Sequence, residues 1–150
     1  MYDSVTLLNF GGTVCFLIAL LHVAIIVVGP RAYRYFGAGE DLSTLAEKNS
    51  IIPTLVTAFI ASIIAMFGVY AFSGAGEISR MPFLGPILVI IGSIFSLRGL
   101  ALPVQLYQMV TRPQKAEIRE IIFSLIALVT GFCFLYGTHL NHEFIFNIPM

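Results

Sequence analysis

Arg98 is the residue with the most demanding chemistry in this sequence, because it interrupts an apolar run from Pro82 to Leu106. A guanidinium at that depth in hydrocarbon costs a few kcal/mol unless it is paired, hydrated or able to snorkel. It is also the side chain best shaped to grip a carboxylate or phosphate with two parallel hydrogen bonds. Gln105 lies two helical turns further along the same face, and Gln108 is close to that line. Pro103 has no amide hydrogen for the carbonyl of Gly99, so the spacing predicts a kink and a polar track beside Arg98. His22 is the second pointer, a side-chain type able to take up and release a proton. It shares a stripe of small residues with Gly12, Cys15 and Ala19, which turns it toward a helix bundle's interior. Thr54 and Thr57 enter at the same end from the second apolar segment, and Glu120 and Ser124 from the fourth. His22, Arg98, Gln105, Thr57 and Glu120 are therefore expected to line a hydrated intramembrane pocket. Such a pocket suits an anion, a lipid headgroup or a titrating proton. The plainer alternative is a structural network in which Arg98 meets Glu120 or helix carbonyls. At the other end, His139 and His142 lie one turn apart beside Glu143, with Asp3 on the same side. That spacing suits a metal, although no further Cys or His completes a set.

The elements that must position these groups follow from composition. Of 150 residues, 58% are hydrophobic and only 11% charged, with a mean hydropathy of +0.94. A soluble domain is about half apolar and about a quarter charged. A chain this short cannot hide so much apolar surface in one core, so lipid is the expected solvent. Net charge is zero, which leaves no basic field for nucleic acid. Cys15 and Cys133 sit in separate apolar runs and read as buried free thiols.

Four stretches reach the roughly 20 residues that a helical crossing needs: Val5–Gly29, Ile51–Ser73, Pro82–Met109 and Arg119–Leu140. The connectors hold Gly29-Pro30, Gly74-Ala75-Gly76 and Arg112-Pro113, all helix breakers. No signal peptide is evident, so the first span is expected to be retained. Arg31, Arg34, Lys48, Arg112, Lys115 and Arg119 fall on one side, against Arg80 alone on the other. Basic residues stay cytoplasmic, which predicts both termini outside, in the periplasm of a Gram-negative host. Tyr33, Tyr35 and Phe36 beside Arg31 and Arg34 make an interfacial anchor, and Asp41 is a candidate cap for a surface helix through Leu42, Leu45 and Ala46. Each span carries a small-residue seam; in the third it is Gly85, Gly92, Ser96 and Gly99, in the fourth Ser124, Ala127, Gly131 and Thr138. The expected fold is one all-α membrane domain, a four-transmembrane-helix up-down bundle with N-out/C-out termini.

Enzyme templates mostly fail: the sequence holds no Gly-rich phosphate loop, nucleophile elbow, paired catalytic carboxylates or zincin motif. It is also too short for the inverted repeats of a standard transporter. Two stretches carry a resemblance, Tyr35-Phe36-Gly37-Ala38-Gly39-Glu40 and the run Tyr70 to Pro82, read with His22 and Arg98-Gly99-Leu100. Together they resemble an uncharacterised family of small bacterial four-helix integral membrane proteins, a resemblance that spans most of the chain and implies no activity. In size and topology the chain is also similar to DoxX-like membrane proteins and to the trimeric glutathione-dependent MAPEG enzymes. The latter carry an Arg/Asn/Glu signature at the start of span two, where this chain reads Ala46-Glu47-Lys48-Asn49-Ser50 without the arginines. The leading expectation is a non-enzymatic accessory or ligand-binding subunit of a bacterial inner membrane, partnered by lipid and by copies of itself or a larger complex. Its rivals are an intramembrane enzyme on a lipophilic substrate, whose thiol cofactor Arg98 would bind, and an oligomeric channel or transporter. No pattern specifies a cofactor.

Overall fold

A computed structural model describes residues 2–37, 39–48, 50–111 and 117–146. Arg112, Pro113 and Lys115 of the third connector, with Ala38 and Asn49 of the first, lie outside the described residues. The described residues form helices and no strands: α1 Tyr2–Val28, α2 Pro30–Tyr35, α3 Glu40–Glu47, α4 Ile52–Ala75, α5 Leu84–Gly99, α6 Leu102–Thr111, α7 Ile118–Leu140 and α8 His142–Phe146. Four segments are long and apolar enough to cross a membrane: Asp3–Val28, Ile52–Ala75, Leu84–Thr111 and Ile118–Leu140. They mark the chain as a membrane protein. The third is two helices, because the chain breaks at Leu100–Ala101. The Leu100 amide donates back to the carbonyls of Ser96 and Leu97, and hydrogen bonding resumes with Gln105 to Ala101. Pro103 therefore falls in the first turn of α6, where a missing amide hydrogen costs nothing. The expected kink is a full break.

The chain divides into two compact units, residues 1–12 with 69–150, and residues 13–68. In the first, α5 and α7 pack along the seams read from the sequence. A methyl group added at Gly131 would fall 2.6 Å from the Ser96 amide nitrogen and 2.9 Å from the Gly92 carbonyl oxygen. One added at Gly99 would fall 2.8 Å from the Leu128 Cα. Small residues thus let the two backbones touch, which substitutes for the hydrophobic drive that lipid removes. Phe134, fully buried, stacks on Phe95 at 6.1 Å between ring centres and lies against Gly11 of α1. Gly85 departs from the seam, since its space is taken by Phe146 of α8. The loop after α4 is closely tied. Glu77 and Gly76 donate to the carbonyls of Phe72 and Ser73, the paired bonds that finish a helix. The Ser73 hydroxyl, in turn, donates to Ser79 and accepts from the Met81 amide.

In the second unit, α2 and α3 fold on each other after α1. Gly29 (φ 77, ψ −146) and Gly39 (φ 90, ψ 154) begin these helices without a side-chain cap, in a region of backbone space open essentially to glycine alone. Asp41 is not the cap that the sequence suggested. It lies in the first turn of α3, one residue past the start, because Gly39 makes the turn and accepts from both the Ser43 amide and hydroxyl. The acidic side chains of Glu40 and Asp41 still favour the helix N-terminus through its dipole. Tyr33, Ala32 and Ile25 are buried together, with Leu21, Phe36 and Ala46 packed on them.

Candidate functional site

Arg98 stands in the last turn of α5, where a cation is favoured by the dipole and by carbonyls that the ended helix leaves unbonded. The close approach at Gly99 carries its side chain onto α7. There Nη1 donates to the Ser124 hydroxyl at 2.9 Å and Nη2 to Glu120 Oε2 at 3.2 Å. Ser124 is fully buried, whereas the Arg98 and Glu120 side chains stay 46% and 34% exposed. The cluster is thus fixed on its inner side and open on its outer side. A guanidinium has five N–H donors, and these two bonds occupy two of them. Lipid tails offer nothing to the others, so a polar head or a hydrated defect must meet them.

Of the residues expected to share a pocket, Arg98 and Glu120 are brought together. Ser124, which the sequence placed beside Glu120, joins them. Gln105 lies on α6, past the break. Its Oε1 is shut away from solvent with no hydrogen-bond donor among the described residues, and a buried acceptor without a donor costs free energy. His22 and Thr57 belong to the second unit. His22 is half-buried, with Nδ1 2.7 Å from the Ile18 carbonyl oxygen. The carbonyl only accepts, so the contact is a hydrogen bond when Nδ1 carries a proton. Thr57 is buried on α4.

His139 and His142 stack their rings, with centres 6.4 Å apart, and His142 Nδ1 turns to the His139 carbonyl at 3.2 Å. No group of three His, Cys, Asp or Glu side chains suited to a metal occurs among the described residues. Cys15 and Cys133 are free and buried.

Two features were missed by sequence reasoning. Arg80, read only as a topological charge, donates to the Ile145 carbonyl at 2.6 Å and lies over the Phe144 ring. It edges an open groove of about 640 Å³ with Pro82, Phe83, Gly85 and Phe146. The only local signal was the aromatic spacing of the C-terminal segment. Tyr33, read as an interfacial anchor, is instead 2% exposed and its hydroxyl has no partner among the described residues.

Fold and site together define an all-helical membrane protein with a paired cation in its third candidate span. No family model, curated protein or solved structure matches the chain.

Proposed function

We propose that this protein is a non-enzymatic ligand-binding subunit of a bacterial inner membrane, and that Arg98 holds the polar head of a lipophilic ligand. The observation that carries this reading is the half-open cluster: Arg98 is fixed by Ser124 and Glu120 yet keeps 46% of its side chain accessible. An ion pair taken out of water repays its desolvation only where its remaining donors and acceptors are hydrogen-bonded as well. Here two of the five N–H donors are used and the side chain stays partly accessible. An anionic or strongly polar head satisfies the others, while its apolar tail lies along exposed Leu97, Leu125 and Leu128.

The bundle runs up and down, with both termini on the outer side. Arg31, Arg34, Lys48 and Arg119, together with Arg112 and Lys115, mark the cytoplasmic side against Arg80. The test is to extract and identify small molecules that co-purify with wild type, Arg98→Lys and Arg98→Leu, each matched for thermal stability in detergent. A lipophile retained by wild type, weakened in Arg98→Lys and lost from Arg98→Leu is the expected outcome. Equal retention by Arg98→Leu would overturn the assignment.

A further inference from the structure

A second candidate site lies in the α2–α3 segment, apart from the Arg98 cluster in sequence. A groove of about 360 Å³ is lined by Pro30, Arg31, Arg34, Tyr35 and Glu47. Two guanidiniums face one carboxylate, so the lining carries a net positive charge. Glu47 pairs with Arg34 and holds that guanidinium in the wall. Arg31 is exposed and has neither ion pair nor hydrogen bond among the described residues. The α2 helix that carries Arg31 and Arg34 is held by the burial of Tyr33 and Ala32 against Ile25.

Its depth in the bilayer follows from the flanking helices. The preceding candidate span ends at Val28 and the next begins at Ile52, so where these two helices cross a bilayer, α2 and α3 fall in the connector at its boundary. Tyr35, 63% exposed, is the amphipathic aromatic that such a boundary favours. The volume is near the lower end of the roughly 300–1,000 Å³ typical of ligand sites, suited to a headgroup rather than a whole amphiphile. We propose that this groove binds the phosphate headgroup of an anionic phospholipid, with Arg31 as the direct ionic contact and Arg34, braced by Glu47, as the second wall. Free phosphate shares the chemistry, but the groove's position beside two candidate spans places it where lipid phosphates are concentrated.

Native mass spectrometry of the full-length protein, titrated with phosphatidylglycerol or phosphatidylcholine, tests this. Phosphatidylglycerol should bind more tightly, and Arg31→Ala should weaken it about fivefold while Arg31→Lys keeps most of it. Arg119→Ala, a basic residue paired with Glu117 elsewhere, should leave binding within about twofold. Equal binding of both lipids, or an equal loss in Arg119→Ala, would overturn the site. Displacement of phosphatidylglycerol by inorganic phosphate at the same concentration would overturn the lipid assignment. A melting temperature measured alongside separates loss of binding from loss of fold, and Arg31→Gln repeats the test with a side chain of similar length.

Discussion

The α5–α7 seam and the α2–α3 segment each hold an arginine against a glutamate, yet they position it by opposite means. Along the seam, Arg98 reaches Glu120 across 22 residues of chain because Gly99 and Gly131 let two helix backbones meet. In the segment, Arg34 reaches Glu47 across 13 residues because the turn at Gly39, between α2 and α3, adopts a backbone open essentially to glycine. The first arrangement depends on long-range packing, and the second on local backbone geometry. The difference is also one of exposure: the Arg98 pair is 46% and 34% accessible, the Arg34 pair 70% and 46%. A cation fixed by packing within a span can serve as a selective site. One fixed by a turn at the boundary is closer to water and depends more on salt.

The comparison is broken most severely at Gly131. Gly131→Val should cost about 3 kcal/mol, near the upper range for overpacking, since the obstacles are backbone atoms. Unfolding in mixed micelles measures that loss, and the Arg98–Glu120 contact should loosen with it. Gly39→Val should cost about 2 kcal/mol of backbone strain, with the damage confined to residues 30–48. Hydrogen exchange should accelerate there and leave α5 and α7 protected. Glu120→Gln should cost about 1 kcal/mol or less, because solvent screening weakens a partly exposed pair. Glu47→Gln is the smallest change, below about 0.5 kcal/mol and further reduced by salt. Equal costs at Glu120 and Glu47, measured in one unfolding series, would collapse the distinction between the two sites.

The spans were legible because hydropathy over some twenty residues is a strong signal. The expected Val5–Gly29 and Arg119–Leu140 lie within three residues of α1 and α7 at each end. The seam between α5 and α7 was legible for a related reason, since small residues at helical spacing have few uses other than close approach. Arg98 and Glu120 followed from the cost of a lone cation. The break after Gly99 was only half legible. Pro103 announces a lost bond, but whether a helix bends or stops depends on neighbours that hydropathy does not register. Gly85 was assigned to the seam although Phe146 fills its space, because nothing local says that a short terminal helix returns to α5. Asp41 was misplaced by the usual preference for a side-chain cap, where Gly39 instead adopts a backbone few residues tolerate.

The most direct test of the Arg98 assignment is a density map of the protein in a lipid nanodisc, at a resolution that shows bound headgroups. The prediction is density for a polar head within hydrogen-bonding distance of the remaining N–H groups of Arg98, with its tail along α5 and α7. An Arg98–Glu120 pair covered only by acyl chains, with no polar group at the guanidinium, would contradict it.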